Sequence, residues 1–359
     1  MSFVIGRESD AEELPAGELG TYRAVDGSDG APLYLDFDGP HAVLVVGKRG
    51  YGKSYTLGVI AESLAETPGV APVVVDPMGA FRPLADAAPN RSVPATVIDR
   101  PTVTADSLDP GSWCSLLGLD PESGAGGLLW RGAQEGATLR EMHAVIEGID
   151  ADPTATRSAR NHVELARSWG VFGPEGLDAD ALGTGEVTVL DLSGLDEGPM
   201  NAVCRGVCDA LYRGRVDGGL RRLPWLLVDE AHAFFDGVAG DALARVLTRG
   251  RAPGVSLVAA TQRPSAVPEV AISQSDVLVS HRLTACDDIE ALRAAQPTYL
   301  NGPLEERLPE EPGEVVIVDD ATETVHSARI RERQTPHGGG SPSVAAALDP
   351  DGETLQDPV

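Results

Sequence analysis

Lysine is almost missing from this chain. Of 359 residues only Lys48 and Lys53 are lysine, so 26 of the 28 basic residues are arginine. Aromatic residues are 4% of the total, and cysteine and methionine number four each. Cys114, Cys204, Cys208 and Cys286 are too few and too scattered for a disulfide scaffold. No run of roughly eighteen apolar residues is present, which excludes a membrane-spanning helix. The start, Met1 to Leu14, is acidic and has no apolar stretch, so it does not read as a secretory signal. These absences lead to the expectation of a soluble, cytoplasmic protein that does not engage a membrane.

Acid is what the chain has in excess. Asp and Glu total 55, for a net charge of −27. Such a surface suits high salt, where charges are screened within about 3 Å at 1 M and carboxylates keep the surface solvated. A halophilic protein is therefore expected; an acidic protein that merely replaces lysine with arginine is the alternative. The excess is not uniform. In residues 201–300, eleven arginines balance eleven Asp or Glu. That neutral, arginine-rich third is where an anionic ligand is sought, although a more buried segment would show the same balance.

Apolar runs and turn signals divide the chain. Residues 1–32 are polar, with at most short strands such as Phe3–Gly6. Buried strands are expected at Leu33–Phe37, Ala42–Val46, Val73–Val75, Ala95–Ile98, Val187–Leu192, Trp225–Val228, Val255–Ala260, Val277–Ser280 and Val315–Val318. Helical patterns lie at Lys53–Glu66 and about 197–213, 239–248 and 287–295. Continuous apolar strands alternating with helices predict an α/β fold with a mostly parallel central sheet. Residues 33–330 would form that core, with a helical insertion at about 120–180. Leu139, Met142, Val145 and Ile146 carry the insertion's helical spacing, and Trp130 and Trp169 are expected in its core. From about 334 to 359 the chain is rich in Pro, Gly, Ser and Asp and is expected to be disordered.

Two motifs carry chemistry. Gly47-Lys48-Arg49-Gly50-Tyr51-Gly52-Lys53-Ser54 fits G-x-x-x-x-G-K-[ST] between a strand and a helix. Gly47, Gly50 and Gly52 let the backbone N–H groups curl round phosphate oxygens, and the helix N-terminus adds a favourable dipole. Lys53 would reach the β- and γ-phosphates and Ser54 would ligate Mg²⁺. Tyr55, next along, is placed in the same nucleotide site. A plain glycine turn would explain the glycines, but not a lysine kept in a chain that avoids lysine. Lys48, Arg49 and Tyr51 are expected on the exposed loop.

The second motif is Leu226-Leu227-Val228-Asp229-Glu230, an apolar strand ending in two carboxylates, the form of a Walker B element. Asp229 would hold Mg²⁺ through water, and Glu230 would orient and deprotonate the attacking water. Gln262 ends the strand Val255–Ala260 and fits a γ-phosphate sensor if that strand lies between the other two. Arg249 and Arg251 precede that strand and would cap a helix or reach a neighbour's nucleotide.

With these motifs the chain resembles the HerA/FtsK superfamily of ring-forming, DNA-pumping ATPases, the HerA branch most. The resemblance rests on Ala42–Ser54, Val74-Val75-Asp76-Pro77-Met78-Gly79, Leu226–His232, Thr248-Arg249-Gly250-Arg251 through Gly254 to Thr261-Gln262-Arg263-Pro264-Ser265, and Gly313-Glu314-Val315. It implies a RecA-like sheet of the ASCE class, a homohexameric ring, and ATP-driven translocation on double-stranded DNA. It assigns Lys53 and Ser54 to phosphate and Mg²⁺, Asp229 and Glu230 to metal and water, Gln262 to sensing, Arg251 to a finger acting across the subunit boundary, and Asp76 to a site carboxylate. The family's NurA-type nuclease docks on an N-terminal β-barrel, and the 41 residues before Ala42 are too few for one. The acidic residue that follows Asp-Pro-x-Gly in the family is Ala80 here. A viral or conjugative DNA-packaging or transfer ATPase is the alternative, and a nucleotide-gated switch that moves nothing is another. Cys204 and Cys208, one helical turn apart, read as a buried pair rather than metal ligands. Arg213, Arg215, Arg221 and Arg222 would face phosphates in a pore or simply solvent.

Overall fold

The computed structural model describes residues 3–7, 14–24, 26–86, 93–294, 299 and 302–338. Twelve strands form one sheet: β1 (Phe3–Ile5), β2 (Ala16–Arg23), β3 (Asp29–Asp36), β4 (Ala42–Val46), β5 (Val70–Asp76), β6 (Ala95–Ile98), β7 (Val187–Asp191), β8 (Leu223–Val228), β9 (Ser256–Thr261), β10 (Val277–Ser280), β11 (Glu314–Asp319) and β12 (Thr324–Ile330). Their order is β1-β3-β2-β12-β11-β10-β4-β9-β8-β5-β7-β6. From β10 to β6 every neighbouring pair is parallel. The expected α/β fold with a mostly parallel central sheet is what the chain adopts. The apolar strands are buried because helices cover both faces. Leu44, Leu226 and Leu190 belong to the core on one face, and Val45, Leu227 and Val189 to the core on the other.

The helices are α1 (Lys53–Ala65), α2 (Pro110–Leu116), α3 (Gly124–Glu135), α4 (Leu139–Gly148), α5 (Pro153–Ser168), α6 (Ala179–Leu182), α7 (Glu197–Val216), α8 (His232–Phe235), α9 (Gly240–Arg249), α10 (Glu269–Ser273) and α11 (Cys286–Ala294). Helices α2 to α6 all lie between β6 and β7, so the inserted helices begin at Pro110, earlier than the composition suggests. Asp109 caps α2 and Asp152 caps α5, each followed by proline at the first helical position. Thr138 and Glu141 close a capping box on α4. The insertion has its own core of Trp113, Leu129, Met142, Ile146 and Val163. Trp130 departs from expectation: it is 39% exposed.

The N-terminal segment also differs from its reading as punctuation with short strands. Strands β2 and β3 are eight residues each and extend the central sheet through β12. Glycine misled here. Gly20 is needed because a Cβ there would lie 1.9 Å from the Arg329 carbonyl oxygen, and Gly17 packs under the Phe37 ring. The residues expected as a disordered tail begin with an ordered stretch: Gln334 and Thr335 bond to Glu62 of α1. Residues 339–359 lie outside the described residues. Among the described residues no helix is long and apolar enough to cross a membrane.

Candidate active site

Strand β9 lies between β4 and β8, with Val46 level with Thr261 and Val228 level with Ala259. Because the three run parallel, the glycine loop after β4, the carboxylates after β8 and Gln262 after β9 emerge at one edge of the sheet. The structure thus brings the sequence motifs together by register.

The loop has the backbone its glycines were expected to permit. Gly50 and Gly52 have φ of 81° and 110°, the left-handed region that glycine enters without steric cost. Gly52 turns the chain into α1, which begins at Lys53. The Lys53 side chain is buried, and Nζ donates to the Lys48 carbonyl at 3.3 Å. Burial lowers its pKa, opposed by the charges of Glu230 and Asp229. Ser54 Oγ donates to Asp229 Oδ2 at 2.7 Å, so the hydroxyl and carboxylate expected to share Mg²⁺ already touch. Both are hard oxygen donors suited to that ion. Asp229 is almost fully enclosed, and burial raises its pKa while the Ser54 hydroxyl lowers it.

Glu230 is held in an unusual way. Its φ is 47°, a conformation costly for a residue with a side chain. Its Oε2 is buried and makes no hydrogen bond, with His232 Nδ1 at 3.5 Å. Burial raises the carboxyl pKa, and the nearby Lys53 and Arg49 charges lower it. A carboxylate oxygen left free beside a phosphate-type loop is the group a bound water would meet. His232 has a structural partner instead: its Nδ1 meets Thr261 Oγ1 at 3.2 Å. Asp76 ends β5 beside Asp229. Its carboxylate accepts the N–H groups of Met78, Ala80 and Phe81, and burial lifts its pKa to about 6.

Other expected residues sit elsewhere. Tyr55 is turned toward the C-terminal segment: its hydroxyl accepts the Arg333 N–H at 2.7 Å and its ring meets His337. Arg49 is exposed, while Lys48 Nζ lies 4.5 Å from the centre of the half-buried Tyr51 ring. Arg251 is exposed in the turn between α9 and β9 and has no hydrogen bond or ion pair among the described residues. It lies before the start of six-residue β9, whereas Gln262 follows its end. About 20 Å of strand separates the two, so Arg251 does not reach the site of its own chain. Cys204 and Cys208 are buried in α7, and burial pushes both thiols up. His281, Thr56 and Glu62 around the loop were not signalled by any motif.

The family model for the central domain of helicase HerA, DUF87, matches residues 18–127. The DNA double-strand break repair helicase HerA of Pyrococcus furiosus is 24% identical over an alignment of 364 residues. That alignment takes in 80% of this chain and 64% of the relative, so the chain spans under two thirds of the relative's length. The chain is thus similar to HerA-type helicases in sequence, over residues 18–127 in the family match. Among solved structures, VirB4 of Thermoanaerobacter pseudethanolicus superposes with a TM-score of 0.67 at 16% identity, covering 89% of this chain and 97% of that one. The bacterial conjugative coupling protein TrwBΔN70 gives 0.59 at 15% identity, over 93% and 98% of the two chains. The plasmid coupling protein TrwB in complex with ADP and Mg²⁺ gives 0.57 at 16% identity, over 82% and 86%. These structures share the fold of this chain.

Proposed function

We propose that this chain is an ATP-driven motor that works on nucleic acid as an oligomeric ring. The observation that carries the reading is the meeting of Lys53, Ser54, Asp229 and Glu230 at one edge of β4, β9 and β8. Lys53 binds the β- and γ-phosphates. Ser54 and Asp229 hold Mg²⁺, which when bound offsets phosphate charge. Glu230 positions the attacking water and takes its proton through the free Oε2. Gln262 follows the γ-phosphate from the end of the middle strand. Arg251, remote from its own site, serves the site of a neighbouring subunit, and a hexamer is the proposed ring.

Transfer or packaging of double-stranded DNA is preferred to break repair. The solved structures of VirB4 and of the conjugative coupling protein TrwBΔN70 align along nearly their whole length with this chain. The described N-terminal strands β2 and β3 belong to the ATPase sheet and not to a separate barrel. Repair of the HerA kind is the second reading, supported by the family match over residues 18–127.

The test is Mg²⁺-dependent ATP hydrolysis with and without duplex or single-stranded DNA, from low salt to molar salt. Stimulation by duplex supports the motor. Hydrolysis indifferent to any nucleic acid at every salt concentration leaves a nucleotide-gated switch instead.

A further inference from the structure

His281 follows the end of β10, outside every motif, yet it touches both ends of the glycine loop. Parallel pairing of β10 with β4 continues past the strands: the His281 N–H donates to the Val46 carbonyl at 2.8 Å, and the Lys48 N–H donates to the Arg282 carbonyl at 2.8 Å. The first residues of the loop are thereby fastened to residues 281–282. The imidazole then crosses beneath the loop. A Cβ on Gly47 would lie 2.5 Å from the His281 Cβ, and a Cβ on Gly52 would lie 3.0 Å from its Cε1. Glycine at both positions is therefore required by the ring as well as by the phosphate.

The ring also reaches the helix. Its Nε2 meets Thr56 Oγ1 at 2.9 Å, in the first turn of α1. The side chain is completely enclosed. Burial, reinforced by the Lys53 charge, pulls its pKa down to about 3, so the ring is neutral. A neutral imidazole presents one acceptor and one donor. With the Thr56 hydroxyl donating to Nε2, the proton sits on Nδ1, which faces the loop on the side of the Tyr51 backbone. The Tyr51 backbone is the polar group that counters burial and the Lys53 charge at this ring, so the imidazole is tied to the middle of the loop as well as to its ends.

We infer that His281 is a positioning residue for the phosphate loop: its imidazole, wedged between Gly47 and Gly52 and bonded to Thr56, fixes the loop's curvature. This rests on the nucleotide-binding reading above. It adds a residue that never touches the nucleotide and acts only through the loop. Errors of about 1 Å in positioned groups can change rates by as much as a hundredfold, so the effect should be large.

The experiment measures binding of a fluorescent ATP analogue, KM and kcat for ATP, and thermal melting for His281→Ala, His281→Gln, Thr56→Val and the pair Thr56→Val with His281→Gln. Glutamine carries its amide near the position of Nε2, so it keeps the Thr56 bond and loses the Nδ1–H. The expected result is a loss of nucleotide affinity of about tenfold or more in His281→Ala, with KM rising by more than kcat falls, and partial rescue in His281→Gln. Thr56→Val should weaken binding in the wild-type background, and its effect should be non-additive with changes at 281. If His281→Ala does not fold, the near-isosteric His281→Gln and Thr56→Val carry the same comparison. Wild-type affinity and KM in folded His281→Ala, or in both conservative variants, overturn the inference. Lys53→Ala in the same assay separates the two readings. Lost binding there with normal His281 variants removes only this proposal, whereas normal binding in Lys53→Ala removes the nucleotide site itself.

Discussion

Glu62 and Arg331 form an ion pair at 2.8 Å that ties the C-terminal segment to the phosphate-loop helix, and the Glu62 side chain is wholly enclosed. The same carboxylate accepts the N–H groups of Gln334 and Thr335 and the Thr335 hydroxyl. Burial pushes the Glu62 pKa up, but these bonds and the arginine outweigh it, and the net shift is down. Arg333 lies over Gly58, where a Cβ would meet its guanidinium carbon at 2.6 Å.

Removing one partner of such a network leaves buried charge uncompensated. Glu62→Ala is therefore expected to cost about 3–5 kcal/mol of stability by urea denaturation. Glu62→Gln, which keeps an acceptor, should cost less. A loss below about 1 kcal/mol for Glu62→Ala would show that the segment detaches freely.

The proposed nucleotide site predicts two different failures. Lys53→Ala removes the cation at the phosphates and should abolish both ATP binding and hydrolysis while the fold survives. Glu230→Gln keeps the size of the side chain but not the base. It should still bind ATP and hydrolyse it at least about a hundredfold more slowly. Equal loss of binding in Glu230→Gln would assign Glu230 to holding the strained turn at φ 47° rather than to the water.

These site residues were legible because their chemistry forces local pattern. A phosphate loop needs Gly50 and Gly52 at positive φ and a lysine at the helix start, and the carboxylates follow an unbroken apolar strand. Strands β4 and β10 were readable to the residue because burial on both faces leaves almost only apolar side chains, and β6, half-exposed at the edge of the sheet, was readable from its short β-branched run. What escaped was held by non-local contact. Strand β12, Thr-Val-His-Ser-Ala-Arg-Ile, is half-exposed and has no apolar run. Glycines in β2 looked like turns because the close approach of Arg329 is invisible from sequence. His281 and Glu62 stand alone in the sequence and gain meaning only when β10 and the C-terminal segment are brought to α1.

His41 predicts a pH dependence at the opposite edge of the sheet. Its ring bonds Asp36 at 2.9 Å and Asp276 at 3.0 Å, with Arg7 on the far side of Asp36. Burial alone would lower its pKa, but the two carboxylates outweigh it and lift the value to about 9. A group raised in the folded state stabilises it fully below the unfolded value of about 6.5, and that stabilisation is lost as pH rises through about 9. Unfolding free energy measured from pH 6 to 10 should fall by roughly 3 kcal/mol more for wild type than for His41→Gln. Parallel curves for the two proteins would show that the imidazole does not titrate in this window.

Arg251 gives the most exposed prediction, because it concerns a neighbour. It follows α9 in a turn pinned by Arg215, whose Nε donates to the Pro253 carbonyl at 2.7 Å, and it has no partner of its own among the described residues. An arginine carried on a pinned surface turn, at the far end of β9 from the glycine loop of its own chain, suits a site supplied by another chain. Such a group stabilises charge on the transferring phosphoryl and is worth of order 10³-fold or more in rate. Arg251→Ala alone should bind ATP and hydrolyse it poorly, whereas Lys53→Ala should do neither. If the two residues serve one site from different subunits, a mixed ring contains interfaces that pair an intact Lys53 with an intact Arg251. Mixing the two inactive proteins under conditions of subunit exchange, monitored independently by energy transfer between labelled chains, should restore part of the activity. Full activity of assembled Arg251→Ala would leave this arginine as a cation beside the C-terminus of α9, where it meets the helix dipole and nothing else.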